Sequence, residues 1–351
     1  MGLRDRLIAQ VRESGPMSVA QYMTACLHDP RDGYYATRPA LGPEGDFITA
    51  PLVSQMFGEL IGLWAVACWE RLGRPSPVYL VEMGPGDGTL MDDMLRASRL
   101  APAFGAAAEV WLVETSQPLI ARQKALLGDG VRWAASLSEV PAGAPMLLIA
   151  NELLDCLPPR QFVRAPKGWA ERMVGLDEAG DLAFGLAAPP LGAALPDAPV
   201  GAVLEQSPAQ EALGSEIGDR IAADGGAALL IDYGRDAPGF GDTLQALRRH
   251  RKESPLASPG EADLTVHADF PAVLAAAARA GAATAPILTQ GEFLVRLGIG
   301  ARAEALSSAR PDRSDVIERQ LERLVSPDQM GELFKAACIH TPGLVPPGFE
   351  T

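Results

Sequence analysis

The feature that most constrains this chain is a run of three alternating glycines between an apolar segment and a helical one. Apolar residues 78–81 predict a buried strand, Gly84, Gly86 and Gly88 follow, and a helix is predicted from Thr89. Glycine lets the backbone turn sharply and come close to a ligand. The N–H groups at the start of the next helix attract a carboxylate or a phosphate. A chain with this loop is expected to fold as an α/β protein that binds a nucleotide.

Three further apolar runs place this loop in a larger sheet. They cover residues 110–113, 146–150 and 227–231, and helical stretches alternate with them. This alternation predicts a doubly wound, mostly parallel sheet, which is the α/β architecture of Rossmann-like folds. Residues 161–186 instead alternate in the manner of an antiparallel hairpin, with a turn at residues 178–181.

The segments on either side of the core have the pattern of helices. Residues 1–76 predict a helical N-terminal region that packs on the core and contains a long amphipathic helix over residues 52–72. The core is expected over residues 77–290, with the hairpin insertion at about 160–200, and residues 291–351 predict a helical C-terminal region. The length suits one large α/β domain with insertions, or two domains.

Charge and hydropathy exclude two classes of partner. The chain has 30 Lys and Arg against 44 Asp and Glu, so its formal net charge is −14. An acidic chain is a poor ligand for a nucleic-acid duplex or an anionic membrane, whereas a basic protein or peptide remains a suitable partner. No segment approaches the roughly 18 uncharged apolar residues that insertion into a membrane needs.

The cysteines and histidines give no sign of a disulfide framework or a metal site. Cys26, Cys68, Cys156 and Cys338 are far apart and form no CxxC pair, and the four histidines do not cluster. A reducing compartment is therefore expected. The first residues of the chain are charged and lack the apolar core of a signal peptide, so a cytoplasmic location is predicted.

Two carboxylates near the glycine loop favour S-adenosyl-L-methionine over NAD. Glu82 stands just before a GxGxG loop, whereas the dinucleotide motif is GxGxxG. An acid here would repel a pyrophosphate and attract the ammonium of S-adenosyl-L-methionine. Glu114 ends the next predicted strand and could accept both ribose hydroxyls, which the two cofactors share. Glu114 thus supports a nucleoside without choosing the cofactor, and for both acids the alternative is a solvated strand end.

Several ordered sequence blocks resemble the MidA family of class I methyltransferases. The blocks are GDFITAP at 45–51, SQMFGE at 54–59, GPGDGTLM at 84–91, VETS at 113–116, ANELLD at 150–155, QF at 161–162, IDYG at 231–234, GDTLQA at 241–246, DLTVHADF at 263–270, QG at 290–291 and MGELFK at 330–335. The resemblance implies a Rossmann-like methyltransferase core, S-adenosyl-L-methionine as cofactor and a protein arginine as acceptor. Mitochondrial members act as arginine methyltransferases in the assembly of respiratory complex I, so a complex I subunit is the implied partner.

The resemblance also extends the set of residues expected around the cofactor. The candidates for cofactor binding are Glu82, Gly84, Gly86, Asp87, Gly88, Glu114, Ser116, Asn151, Phe47 and Thr49. Phe47 and Thr49 precede a predicted helix and would close over the cofactor. The alternative for these two residues is a loop, with Thr49 as a helix N-cap.

The acceptor side of such a site needs acids. Carboxylates on the far nitrogens of a guanidinium localise its charge and leave one nitrogen richer in electrons. Glu152 and Asp155 follow the third apolar run at the same sheet edge as the glycine loop, so they are the predicted catalytic residues. They share a face if this turn is helical. The alternative is that Asn151 or Asp155 caps the next helix, and Tyr233 and His267 are further candidates with a structural role as their alternative.

The predicted enzyme is therefore a protein arginine methyltransferase that depends on S-adenosyl-L-methionine. Two alternatives stand beside it: a non-catalytic assembly chaperone for complex I that keeps the pocket, and an NAD-dependent dehydrogenase. The intact set of Glu82, the three glycines and Glu114 argues against a relic, and the loop spacing argues against NAD. The sequence allows a homodimer.

Overall fold

The computed structural model describes residues 1–37, 49–190, 192 and 195–350. In chain order the described helices α1 to α14 are Leu3–Ser14, Val19–His28, Tyr34–Thr37, Ala50–Val53, Gln55–Arg71, Thr89–Ser98, Pro102–Ala107, Gln117–Leu127, Pro208–Asp224, Phe270–Arg279, Gln290–Arg296, Ile299–Ala309, Ser314–Val325 and Met330–Leu333. Short 3-10 turns lie at Gly128–Gly130, Leu137–Glu139, Leu154–Cys156 and Pro311–Arg313. The described strands β1 to β17 are Met17–Ser18, Val78–Met83, Ala108–Val113, Val131–Ala134, Met146–Asn151, Arg160–Ala165, Gly168–Leu176, Leu182–Ala187, Val203–Gln206, Gly226–Arg235, Gln245–Arg248, Arg251–Glu253, Asp263–Thr265, Ala268–Asp269, Ala283–Thr284, Leu288–Thr289 and Phe334–His340.

The main sheet has the strand order β15-β17-β10-β5-β2-β3-β4. Strands β10, β5, β2, β3 and β4 are parallel to one another, and β17 is antiparallel to β10. All six residues of β5 are buried, because helices cover both faces of the sheet. The four apolar runs seen in the sequence are β2, β3, β5 and β10, so the predicted Rossmann-like α/β fold is confirmed.

The prediction of one long amphipathic helix over residues 52–72 is wrong in two respects. It is divided into α4 and α5 at Ser54, whose hydroxyl accepts the N–H of Met56 at 3.3 Å and caps α5. Nor does α5 present a broad polar face, because 12 of its 17 residues are buried. Gly58 and Gly62 allow α6 to approach closely, since a Cβ at either position would lie under 3 Å from α6 atoms.

The predicted insertion is an antiparallel sheet rather than a single hairpin. Strands β6, β7 and β8 form a meander, and β9 pairs with β6 on its other side. The predicted turn near residues 178–181 joins β7 to β8, and the Gly180 N–H donates to the Asp177 carbonyl at 3.0 Å. Strand β1 pairs with β7, so the N-terminal region is hydrogen-bonded to this insertion.

The prediction of a helical C-terminal region over residues 291–351 is wrong for its last element. Phe334–His340 is strand β17, all seven of its residues are buried, and it lies next to β10 in the main sheet. Its centre, residues 336–339, is a short apolar run rich in alanine. Such a run has no period that separates a buried strand from a buried helix.

A small third sheet, in the order β12-β11-β13, completes the fold. Buried residues of β11 and β13 belong to an apolar cluster shared with α1 and α2. This packing fixes β13 beside the N-terminal region. Among the described residues no helix is long and apolar enough to cross a membrane, and no group of three or more His, Cys, Asp or Glu side chains could hold a metal ion.

Candidate active site

A cavity of about 550 Å³ lies at the carboxyl edge of the main sheet. It is bounded by the glycine loop after β2, the end of β3, the turn after β5 and the described part of the N-terminal region before residue 38. Ligand pockets in proteins have volumes of about 300–1,000 Å³. In an open parallel sheet this edge is where ligands bind, so the cavity is the candidate active site.

The glycine loop adopts a backbone that other residues rarely take. Gly84, Gly86 and Gly88 have φ values of 67°, 56° and 91°. A Cβ at Gly84 would lie 3.0 Å from the Leu153 side chain. The Gly86 carbonyl accepts the side-chain amide of Gln123 at 2.7 Å, which holds the loop against α8. The loop therefore presents bare backbone to the cavity in a fixed position.

A second, smaller cavity of about 60 Å³ lies on the other side of this loop, and its lining includes Glu82, Asn151 and Asp87. Glu82 Oε2 and Asn151 Oδ1 are buried acceptors for which no described residue provides a donor. Burial, together with Asp87, raises the pKa of Glu82 well above its usual range. A cationic donor would satisfy both oxygens, and an α-ammonium group is such a donor. The chain therefore fits the methionine end of S-adenosyl-L-methionine.

Asp87 has a second contact besides lining this smaller cavity. Its Oδ1 accepts the backbone N–H of Thr89 at 3.0 Å, so the side chain also helps to begin α6. One carboxylate oxygen is thus committed to the helix start.

Glu114 lies where the sequence predicts it, at the end of β3 on the edge of the larger cavity. Its Oε1 accepts the N–H groups of Thr115 and Ser116, both at 2.7 Å, which fixes the carboxylate. Burial raises its pKa. Ser116 also lines the cavity, but its hydroxyl donates to the Tyr35 carbonyl at 3.2 Å and so connects α8 to the N-terminal region.

Glu152 lies in both cavities and has a strained backbone. Its φ is 54°, a value that is uncommon for a residue other than glycine and that occurs often at functional sites. The backbone N–H of Glu152 donates to the Ile231 carbonyl at 2.8 Å. Its Oε1 accepts the Ala50 N–H at 3.1 Å and the Asn151 side-chain amide at 3.2 Å. Burial and the nearby Asp155 raise the pKa of Glu152 to about 7.

Asp155 joins Glu152 in the larger cavity, although not on an α-helical face as the sequence suggested. It belongs to the 3-10 turn Leu154–Cys156, which leads into β6 rather than into a helix, so the helix-cap alternative is wrong. Its Oδ2 accepts the Tyr233 hydroxyl at 2.6 Å. Burial raises the pKa of Asp155 to about 6.

Sequence reasoning missed Asp232, which holds this turn in place. Asp232 is fully buried, and its Oδ2 accepts the N–H groups of Leu154 and Asp155 at 2.8 and 3.1 Å. Burial, followed by Asp155 and Glu152, raises the pKa of Asp232 well above its usual range. The available signal was an acid inside an otherwise apolar strand.

Sequence reasoning also missed Tyr35 and Asp263, which line the far side of the larger cavity. The Tyr35 hydroxyl donates to Asp263 Oδ1 at 3.1 Å, so α3 and β13 meet there. His267 is different, because its ring packs edge-on against Tyr233 at 5.7 Å and it is not among the residues that line the cavity.

The remaining two candidates are Thr49, which lies at the start of α4, and Phe47. Thr49 occupies the N-cap position, but its side chain makes no capping hydrogen bond, and it lines both cavities. Phe47 lies outside the described residues.

Comparison with known proteins agrees with this geometry. Residues 60–288 match the family model described as "Putative S-adenosyl-L-methionine-dependent methyltransferase". The chain belongs to this family. This match confirms three predictions from the sequence: the family, the methyltransferase activity and S-adenosyl-L-methionine as cofactor. The alternative of an NAD-dependent dehydrogenase is wrong.

Curated relatives extend over nearly the whole chain. Protein arginine methyltransferase NDUFAF7, mitochondrial, of Mus musculus is 36% identical over 359 residues, which cover 93% of this chain and 82% of that protein. The Homo sapiens protein of the same name is 35% identical over 359 residues, which cover 93% of this chain and 81% of that protein. The Drosophila melanogaster homologue is 34% identical over 95% of this chain and 83% of its own.

Two solved structures from Burkholderia thailandensis share the fold of this methyltransferase. An uncharacterised protein superposes with a TM-score of 0.84 at 27% identity, covering 99% of this chain and 92% of its own. A second crystal structure, bound to S-adenosyl-homocysteine, gives a TM-score of 0.81 at 26% identity with the same coverage.

Proposed function

We propose that this methyltransferase modifies an arginine guanidinium of a protein, and that the acceptor is a subunit of respiratory complex I (NADH:quinone oxidoreductase) during its assembly. The observation that carries the proposal is the pair of buried carboxylates, Glu152 and Asp155, in the cavity that the glycine loop also borders. The names of the relatives as protein arginine methyltransferases support the acceptor type. The resemblance to the MidA family supports the complex I subunit.

The cofactor would be held by residues at the ends of β2, β3 and β5. Glu82 and Asn151 would accept hydrogen bonds from the ammonium, because both have a buried oxygen that lacks a donor among the described residues. Glu114 would accept ribose hydroxyls from the cavity edge. When bound, S-adenosyl-L-methionine supplies a methyl group activated by its sulfonium.

The other proposed cofactor residues act through shape. Gly84, Gly86 and Gly88 keep the backbone free of side chains, while Asp87 and Ser116 fix the loop and the start of α8. Thr49 lines both cavities and would cover the bound cofactor. The same role for Phe47 rests on the sequence alone.

The acceptor would be oriented by the two carboxylates. Asp155, held by Tyr233, would bind the far nitrogens of the guanidinium and localise its charge there. The Glu152 carboxylate would take the proton that the reacting nitrogen loses as its new bond to carbon forms and the carbon–sulfur bond breaks. A pKa raised to about 7 suits Glu152 to this task, since a general base works best near the operating pH.

The decisive experiment compares complex I subunits from a wild-type strain and a deletion strain by mass spectrometry. We expect a methylated arginine that disappears on deletion and returns with the wild-type gene but not with Glu152→Gln. Restored complex I assembly by Glu152→Gln without methylation would instead support the assembly chaperone. Unchanged arginine methylation in the deletion strain would overturn the proposal.

Location and assembly form part of the same proposal. The four cysteines are all free and buried, which supports a reducing compartment such as the cytoplasm. The sequence allows a homodimer, and the mass in solution from light scattering tests it. Fractionation of cells that express the tagged chain tests the location.

A further inference from the structure

A strongly basic hairpin projects from this acidic protein. Residues 248–252 read Arg-Arg-His-Arg-Lys. They run from the last residue of β11 through a two-residue turn into β12, and Arg248 lies opposite Arg251. Residues 249–252 are exposed, in a chain whose formal net charge is −14. We call residues 248–252 the basic hairpin.

The turn of the basic hairpin does not have the residues that its backbone prefers. Arg249 and His250 have φ values of 51° and 60°. A two-residue hairpin with positive φ at both positions favours Asn-Gly, because larger side chains are strained there. Residues kept in a strained conformation point to a function. Arg-His differs from the favoured Asn-Gly by its basic charge, so the charge is the property that we connect with a function.

Strand register places the basic hairpin beside the candidate active site. Leu247 of β11 pairs with Asp263 of β13 on one side and with Lys252 on the other. Asp263 lines the larger cavity. A strand rises about 3.3 Å per residue, so the turn lies within roughly 10 Å of the Asp263 backbone along β11.

The cavity and the basic hairpin have opposite charges. The cavity lining includes the carboxyl groups of Glu152, Asp155 and Asp263, which suit one guanidinium. Arg248 is partly neutralised by Glu261, whereas Arg251 and Lys252 form no ion pair with the part of the chain that the structure describes. The hairpin therefore repels further cationic side chains near the cavity and attracts carboxylates.

We propose that the basic hairpin makes this enzyme select an acceptor arginine that lies among acidic residues. The proposal rests on the function proposed above and adds the sequence context of the acceptor. The guanidinium enters the acidic cavity while neighbouring Asp or Glu side chains of the acceptor contact the hairpin. An arginine within a run of lysines or arginines would be rejected by repulsion.

Fluorescent peptides with a single arginine flanked by Glu, Gln or Lys test this selection. Their binding to the full-length protein with S-adenosyl-homocysteine is measured by anisotropy at low ionic strength. We expect the Glu peptide to bind at least about tenfold tighter than the Lys peptide, with the difference falling as salt is added. Equal affinity for the three peptides would overturn the proposal, as would a mixed-sequence oligonucleotide that binds as tightly as the Glu peptide.

Variants assign the preference to the hairpin. Arg251→Glu/Lys252→Glu should bind the Glu peptide about tenfold more weakly, because two attractions become repulsions. Arg99→Glu/Arg319→Glu reverses two exposed charges outside the hairpin and should leave the preference unchanged. Arg249→Asn/His250→Gly provides the residues that the turn favours, so it keeps the fold while it weakens binding of the Glu peptide. A wild-type preference in both hairpin variants would contradict the proposal.

Methyl transfer to the same peptides separates this proposal from the proposed function. Tritium transfer from S-adenosyl-L-methionine should follow the order of binding, with the Glu peptide first. If the Glu peptide binds best but no peptide accepts a methyl group, the docking role of the hairpin stands, and the comparison of wild-type and deletion strains decides the arginine acceptor.

Discussion

The hydroxyl of Tyr233 donates a 2.6 Å hydrogen bond to Oδ2 of Asp155, which connects the end of β10 to the turn after β5. The neighbouring Asp232 accepts backbone N–H groups from the same turn. The position of Asp155 in the cavity thus depends on two consecutive residues that lie far away in sequence. The carboxylate proposed to orient the acceptor is therefore held by the sheet itself.

Tyr233→Phe should alter both the pH dependence and the stability. The hydrogen bond favours the charged form of Asp155, so its loss raises the pKa of Asp155 further above about 6. The acidic limb of the kcat/KM profile should move to higher pH. The free energy of unfolding should fall by about 1–3 kcal/mol. Tyr79→Phe, a buried tyrosine on β2, is the control. Identical pH profiles for wild type and Tyr233→Phe would exclude the link between Tyr233 and Asp155.

Gly86→Ala should weaken cofactor binding. The φ of 56° at Gly86 costs an alanine about 1–2 kcal/mol, so the substitution favours a different backbone for the loop. We expect at least a tenfold loss of affinity for S-adenosyl-homocysteine by calorimetric titration. Gly73→Ala is the matched control, because Gly73 also has a positive φ, 85°, and a Cβ there meets nothing within 4 Å. Wild-type affinity in Gly86→Ala would show that the loop does not approach the cofactor.

Glu114→Gln should raise the KM for the cofactor and leave kcat nearly unchanged. The ribose hydroxyls are contacted equally before and during the reaction, so this interaction contributes uniform binding. Loss of a charge-assisted hydrogen bond of about 1.5–3 kcal/mol predicts a KM roughly ten- to a hundredfold higher. Glu109→Gln, at the opposite end of β3, should have no effect. A large fall in kcat with an unchanged KM would reject the ribose role.

The fold was predictable from the sequence where strands are buried on both faces. Residues 146–150 and 227–231 form continuous apolar runs because β5 and β10 have helices above and below. Strand β17 was not predictable, since its alanine-rich centre has no distinguishing period and its partner β10 lies about a hundred residues earlier.

The site was predictable where it follows a strand directly, and not where tertiary structure assembles it. Glu82 and Glu114 could be placed because each ends a recognisable strand at the ligand-binding edge. Tyr35 and Asp263 come from α3 and β13 and meet only through packing of the N-terminal region. Local periodicity carries no information about such a meeting.

Glu152 should make the protein less stable as pH rises. Its pKa is about 7 in the folded chain and near 4.5 when unfolded, so the unfolded state releases its proton first. Stability therefore falls between about pH 4.5 and 7, by roughly 2–3 kcal/mol from this group. Glu152→Gln should lack this fall and unfold at a higher temperature than wild type at pH 8, with little difference near pH 4. An equal difference at both pH values would contradict the raised pKa.

Turnover of Glu152→Gln at saturating S-adenosyl-L-methionine tests the central claim most directly. The acceptor is the complex I subunit fraction from a deletion strain, and the readout is methyl transfer to arginine. The substitution keeps the shape of the side chain and removes its charge, so cofactor affinity should stay near that of wild type. Turnover should fall by about 100-fold or more, the usual effect of losing an acid–base group. Equal turnover for wild type and Glu152→Gln would contradict the account and remove Glu152 from the chemistry.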